Sequence, residues 1–148
     1  MKSRVVARAA VVVSVAVLVA GCGSGEVVVD TTVPSAIGVD IGEWYVRPDV
    51  ETVPSGARVF EVENEGSMMH EFLVVKTDLV PGAIPVSGDG TFDEDLASIE
   101  IIDEIPEWGA GSAKTLSVNL TPGRYQLVCN LPGHYSLGMW TGFTVAEL

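Results

Sequence analysis

Four side chains of this sequence have the chemistry of a metal site. Cys129, His134 and Met139 lie near the C-terminus with four residues between each pair, and His70 is the only other histidine. Thiolate and thioether sulfur favour Cu(I), whereas imidazole nitrogen binds both Cu(I) and Cu(II). Two histidines, one cysteine and one methionine are the ligands of a blue-copper electron-transfer site. The residue types therefore favour a blue-copper site.

Each of these residues also has a simpler structural explanation. A lone His70 on an apolar strand is usually a satisfied core histidine, Met139 alone would fill the core, and Cys129 alone would be a buried thiol. Zinc is an alternative occupant of a Cys-His-His set, and it would exclude redox work. The combination of all four residues in one chain favours copper.

The same residues argue against an enzyme. Further copper centres need additional histidines, and the chain has only two. The four predicted ligands fill the positions on one copper and leave none open for a substrate. No set of nucleophile, base and acid is recognisable elsewhere in the sequence. We therefore expect a carrier or a binding protein.

The N-terminus has the pattern of an export signal. Lys2, Arg4 and Arg8 precede an apolar run over residues 9–20, which is shorter than the roughly 20 residues that a membrane-spanning helix needs. The run ends in Val-Ala-Gly-Cys, which resembles the lipobox of bacterial lipoproteins, where the cysteine, here Cys22, becomes lipidated. The alternative is an ordinary secreted protein with an unrelated cysteine.

This pattern divides the chain into three parts. We expect a lipoprotein signal peptide over 1–21, a flexible tether over 22–35 and a folded domain over 36–148. The resemblance to lipoproteins implies export and attachment to a membrane through Cys22, on the extracytoplasmic side at the cell surface or in the periplasm.

Export changes both the cysteine count and the charge. Lipidation of Cys22 would leave Cys129 as the only free thiol, which is open to oxidation outside the cell unless it is buried or metal-bound. The chain has 20 acidic and 8 basic residues, and three of the basic ones lie in the expected signal peptide, so the mature net charge is −15. This charge argues against a nucleic-acid partner, which needs a basic surface, and favours steering toward basic proteins. Residues 89–107 include eight acidic residues and no basic residue. We expect this segment to be either a solvated acidic face or a docking surface for a partner.

The remaining sequence consists of short strand patterns separated by turns. Apolar and polar residues alternate over 37–41, 58–64 and 113–120, and a continuous apolar run near 68–75 indicates an interior strand. Residues 124–129 form a strand that delivers Cys129 to its loop, and a last strand follows at 140–145. A short helical turn is expected near 92–98. Seven or eight strands with almost no helical periodicity predict an all-β, antiparallel β-sandwich.

The loop CNLPGHYSLGM resembles the C-terminal ligand loop of the cupredoxins, the small blue-copper proteins. Its spacing is closer to rusticyanin, sulfocyanin and auracyanin than to plastocyanin, and the flanking PGRYQLV and WTGFTV and the upstream MHEF are also similar. The resemblance spans residues 36–148 but is specific only at His70 and 121–145. It implies a Greek-key β-sandwich, one type 1 copper and one-electron transfer between extracytoplasmic redox partners. It also implies His70, Cys129 and His134 as equatorial ligands and Met139 as the axial ligand.

The sequence departs from that family after the first histidine. In azurin and plastocyanin the next residue is an asparagine that helps to fix the loop and the cysteine sulfur, whereas here it is Glu71. On an alternating strand Glu71 is expected to point away from the metal, while its charge or hydrogen bonds tune the reduction potential.

Two further expectations concern partners and function. Electrons would pass through the edge of His134. A redox partner would dock on an apolar rim at 131–137, formed by Leu131, Pro132, Tyr135 and Leu137. We expect the protein to be a monomer. The alternative functions are storage or delivery of Cu(I), for which only Met68 and Met69 supply extra sulfur, and a metal-free interaction domain.

Overall fold

The structure is a computed structural model that describes residues 36–147. The predicted signal peptide, Cys22 and the tether lie outside the described residues. Nine strands and one 3-10 helix make up the described part of the chain. The strands are β1 (Ile37–Gly42), β2 (Tyr45–Pro48), β3 (Thr52–Pro54), β4 (Gly56–Asn64), β5 (His70–Thr77), β6 (Ile99–Trp108), β7 (Ala113–Leu120), β8 (Gly123–Val128) and β9 (Trp140–Ala146), and the 3-10 helix is Tyr135–Leu137.

The strands form two sheets, which confirms the predicted all-β sandwich. The four-stranded sheet has the order β2-β1-β4-β7, and the five-stranded sheet has the order β3-β9-β8-β5-β6. Most pairs are antiparallel, but β1 pairs with β4, and β3 with β9, in parallel. The strand count exceeds the predicted seven or eight, since the alternating segment at 37–41 is followed, after a turn at Glu43 and Trp44, by a separate strand at Tyr45–Pro48.

Alternation along the strands builds the core between the sheets. Phe60 and Val62 of β4 are fully buried, as their alternation predicts. The Phe60 ring contacts Phe72 of β5 and Phe143 of β9, with ring centroids 5.5 and 5.7 Å apart. These contacts join the two sheets, since β4 belongs to one and β5 and β9 to the other.

The five-stranded sheet is also covered on its outer face. Leu73 and Val75 of β5 pack there against Ile84, Phe92 and Tyr135. Burial on both faces explains the continuous apolar run of β5, which begins at His70. Near 92–98, where a short helical turn is expected, the chain forms isolated turns and no helix, such as the turn closed by Leu96 N–H to Asp93 C=O at 3.2 Å. Within residues 36–147, no helix is long and apolar enough to cross a membrane.

Candidate metal centre

Three donor atoms meet at one end of the sandwich. His70 begins β5, Cys129 directly follows β8, and His134 lies in the loop that leads to β9. Nδ1 of His134 is 3.3 Å from Nδ1 of His70 and 3.4 Å from Sγ of Cys129. All three side chains are buried, and His134, the most accessible, is 6% exposed. The structure thus brings together three of the four predicted ligands.

The loop that carries Cys129 and His134 is closed by its own backbone. The N–H of Cys129 donates to the carbonyl of Met139 at 3.0 Å, and the N–H of Met139 donates to the carbonyl of His134 at 3.1 Å. Gly133 and Gly138 turn the chain with φ of +81° and +108°, where glycine has no steric cost. Because β8 and β9 pair directly on either side, the ends of the loop are held together. These backbone contacts therefore hold Cys129 and His134 close together at the end of the sandwich.

Met139 is fully buried and packs in the same core cluster as Cys129. Its backbone is tied to Cys129 and His134 as described above, so its side chain belongs to the same small region. Its role as the axial ligand remains a prediction.

The separations of His134 Nδ1 from the other two donor atoms fit a single metal ion, and all three donor atoms lie within 4.8 Å of one another. With metal–nitrogen distances of about 2.0 Å and metal–sulfur distances of about 2.3 Å, ligand atoms on one metal lie roughly 3.3–3.8 Å apart. The two observed separations, 3.3 and 3.4 Å, fall in that range. Burial lowers the pKa of His70, with a smaller contribution from His134, and burial also lowers the pKa of His134, although the charge of Glu43 raises both. The lowered pKa favours the neutral form of both rings at neutral pH, and a neutral ring has a lone pair for a metal.

Burial also affects the protonation of the Cys129 thiol. It raises the pKa of Cys129 to about 11, with smaller upward contributions from Glu71 and Glu107, although the backbone N–H groups of Glu71 and Leu131 lower it. Without a metal the thiol is protonated and unreactive at neutral pH. Binding a metal must displace this proton.

Glu71 anchors the loop from the neighbouring strand. Its carboxylate accepts a hydrogen bond from the backbone N–H of Asn130 at 2.7 Å, and its own N–H faces Sγ of Cys129 at 3.5 Å. The Asn130 side chain continues the connection, because its amide bonds to the N–H and C=O of Phe92 at 2.8 and 3.0 Å. The side chain of Glu71 is therefore turned onto the ligand loop. Sequence reasoning missed Asn130, whose contacts are with a distant part of the chain.

Glu71 makes the stability of the copper-free protein depend on pH. Burial, reinforced by Glu94, Glu104 and Glu107, raises the pKa of Glu71 from 4.5 to about 7, although the Asn130 N–H lowers it. The folded state then holds the proton more tightly than the unfolded state, so stability falls as the pH rises from 4.5 through 7. We expect Glu71→Gln to change the free energy of unfolding of the copper-free protein more favourably at pH 8, where Glu71 is charged, than at pH 4, where it is protonated. Urea unfolding at both pH values measures this difference, and Glu61→Gln is the control, since Glu61 is exposed on β4 and is not among the groups that shift the pKa of Glu71. An equal effect of Glu71→Gln at both pH values would contradict it.

One residue of the expected docking rim is not on the surface. Tyr135 is 2% exposed, and its hydroxyl donates to Gln126 Oε1 and accepts from the N–H of Ile84, both at 3.1 Å. Tyr135 therefore packs under the loop, and its inclusion in the rim was wrong. Leu131 is partly buried, whereas Pro132 and Leu137 are exposed.

Trp44 occupies the outer side of His134 instead. The two rings meet edge to face, with centroids 5.6 Å apart and an angle of 84° between their planes, and Trp44 is 45% exposed. It is the only non-glycine residue within 36–147 with positive φ, at +69°. A bulky side chain rarely adopts this conformation, and such strain is concentrated at functional sites. Met68 and Met69, on the loop before β5, are also exposed.

The comparisons with known proteins agree with this geometry. Residues 50–147 match the family model described as the sulfocyanin (SoxE) domain. Auracyanin from the photosynthetic bacterium Roseiflexus castenholzii is similar at 26% identity, with a TM-score of 0.58 over 75% of this chain and 96% of its own. Auracyanin A from Chloroflexus aurantiacus, described as a "blue" copper protein, shares 20% identity, with a TM-score of 0.54 over 76% and 99% of the two chains. A search of curated sequences finds no match.

A two-sheet β-sandwich with a buried His-Cys-His cluster at one end defines the protein as a cupredoxin. Within that class, the chain belongs to the sulfocyanin (SoxE) domain family. The family and the three converging donors support one copper ion per chain as its cofactor.

Proposed function

We propose that the protein carries single electrons between extracytoplasmic redox partners. The observation that carries this proposal is the buried, self-closed arrangement of His70, Cys129 and His134. A bound copper supplies the one-electron change between Cu(II) and Cu(I). The chain contributes donors on a loop that its own backbone hydrogen bonds close, which favours little rearrangement when the charge of the metal changes.

On this proposal the protein is not an enzyme. The three donors are buried, and Met139 is predicted to take the fourth position, so no position faces a substrate. Repeated redox cycling tests the function. The copper-loaded protein should be reduced and reoxidised many times at one constant potential without losing metal.

We propose the exposed surface around His134 as the docking site for the redox partner. His134 itself is nearly covered, so the partner would contact Trp44, Pro132 and Leu137, of which Trp44 touches the His134 ring. The proposed exit for electrons is therefore Trp44 rather than a bare edge of His134. The acidic composition of the chain favours a partner with basic residues around an apolar centre.

Trp44→Ala is expected to slow electron self-exchange between oxidised and reduced protein several-fold, because it removes the ring that connects His134 to the surface. Trp44→Phe keeps an aromatic ring and should retain most of the rate. Val80→Ala, which removes a 67% exposed apolar side chain from another loop, is the control. NMR line broadening in mixtures of the two oxidation states measures the rate. An unchanged rate in Trp44→Ala would contradict this exit route.

Storage or delivery of Cu(I) is a second candidate function. It is favoured by Met68 and Met69, which are 44% and 53% exposed on the loop that precedes His70. Thioether sulfur binds Cu(I), and exposed thioethers would let the ion enter or leave. Rapid transfer of copper to a Cu(I) chelator, slowed by Met68→Leu with Met69→Leu, would support delivery over electron transfer.

The proposed location follows from the N-terminal pattern. Residues 1–21 would be removed during export, and lipidated Cys22 would hold the domain to the membrane. Mass spectrometry of protein extracted from the membrane fraction tests this. An unmodified Cys22, or a chain that retains residues 1–21, would contradict the anchor.

A further inference from the structure

The second ring nitrogen of His70, Nε2, lacks a hydrogen-bond partner in the described part of the chain. Nδ1 of this ring faces His134 at 3.3 Å, so Nε2 lies on the side away from the donor cluster. Nε2 is buried and makes no hydrogen bond to any residue within 36–147. A metal-bound histidine nearly always donates this second N–H to a carboxylate, a carbonyl or a water. The ring therefore needs an acceptor at Nε2.

A carboxylate oxygen of Glu43 is placed to meet that need. Oε1 of Glu43 lies 3.8 Å from Nε2 of His70. The same oxygen accepts hydrogen bonds from the backbone N–H groups of Ser67 and Met68, at 2.7 and 2.9 Å. These bonds, that of Ser67 foremost, lower the pKa of Glu43 and keep it charged. The turn between β1 and β2 thus holds a fixed negative charge beside His70.

Gly66 supplies independent evidence that this space is built for the pair. A Cβ at this position would lie 2.7 and 2.9 Å from the two carboxylate oxygens of Glu43 and 2.9 Å from Nε2 of His70. Gly66 is not among the glycines with positive φ, so its backbone does not require glycine. A side chain here would enter the gap between the carboxylate and the ring, so Glu43 or His70 would have to move.

We propose that Glu43 is a positioning residue of the copper centre, which accepts the Nε2–H of His70 and so directs the Nδ1 lone pair toward the metal. A shift of less than about 1 Å brings the two atoms into hydrogen-bond range. A carboxylate that accepts the Nε2–H makes Nδ1 of the ring a stronger electron-pair donor to the metal. The negative charge of the carboxylate also favours Cu(II), which is more positive, over Cu(I). The inference rests on the copper site described above, and it adds a residue that the ligand motif does not contain.

Glu43→Gln tests the proposal because it retains an oxygen for the N–H groups of Ser67 and Met68 but removes the charge. The reduction potential should rise, and the affinity for Cu(II) should fall about 10- to 100-fold. Glu65→Gln is the matched control, since Glu65 also lies beside the β1–β2 turn but accepts from the Tyr45 hydroxyl at 3.3 Å. Equal changes in the two variants would overturn the proposal, because they would reflect surface charge alone.

Gly66→Ala provides a second test that leaves Glu43 and His70 chemically intact. The added methyl should separate them and raise the potential as Glu43→Gln does. If this variant does not fold, nitrogen-15 NMR of the copper-free native protein decides. His70 should carry its proton on Nε2, and Glu43→Gln should weaken that preference. A native ring protonated on Nδ1 would overturn the proposal, and this result does not depend on whether the loaded protein transfers electrons.

Discussion

Cys129→Ser is expected to abolish the intense visible absorption of the Cu(II) protein. That absorption arises from the bond between the cysteine thiolate and copper, and a serine hydroxyl does not form an equivalent bond. The substitution nearly preserves the volume of the side chain, so loss of colour reports the missing sulfur rather than a cavity. The absorption spectrum of the copper-loaded variant measures the effect, and circular dichroism shows whether the sandwich still folds.

Met139→Leu is the contrasting variant for the same loop. An axial thioether lies far from the metal and binds weakly, so its loss should shift the colour and the reduction potential but leave the band in place. A complete loss of the band in Met139→Leu would mean that Met139 is more than an axial ligand. A Cys129→Ser protein that stayed intensely coloured would contradict the site itself.

Phe60→Ala is expected to lower the free energy of unfolding by about 3–5 kcal/mol, the usual cost of removing a buried phenylalanine ring. The ring is fully buried and contacts Phe72 and Phe143 in the opposite sheet. Because Phe72 follows His70 on β5, and Phe143 lies on the strand after the ligand loop, the cavity should also speed the loss of copper.

Val59→Ala is the control for Phe60→Ala, since Val59 is the neighbouring residue on the other face of β4 and is only partly buried. It should lower the free energy of unfolding of the copper-free protein, measured in urea, by less than half as much as Phe60→Ala does. Equal costs for the two variants would contradict the assignment of the inward face of β4.

The sequence predicts the sandwich and the ligand loop for local reasons. Alternation with period two identifies the inward residues Phe60 and Val62 without any knowledge of their partners. Cys129 and His134 likewise lie within one short segment, so their spacing can be read directly from the sequence. Both features depend on residues close together in the chain.

The surroundings of the site could not be predicted, because they depend on contacts between distant segments. Glu43 approaches His70 from another sheet, and Tyr135 is buried by partners at Ile84 and Gln126. The β1–β2 turn was missed for a different reason. Glu43 and Trp44 are not the Asn, Asp or Gly residues typical of a two-residue hairpin turn, and Trp44 adopts positive φ where it contacts His134.

The visible spectrum of the copper-loaded, oxidised protein tests the central claim most directly. We expect an intense blue colour that disappears on reduction and returns on reoxidation, with one copper bound per chain. A protein that binds copper but stays colourless under oxidant would contradict a type 1 site formed by His70, Cys129 and His134.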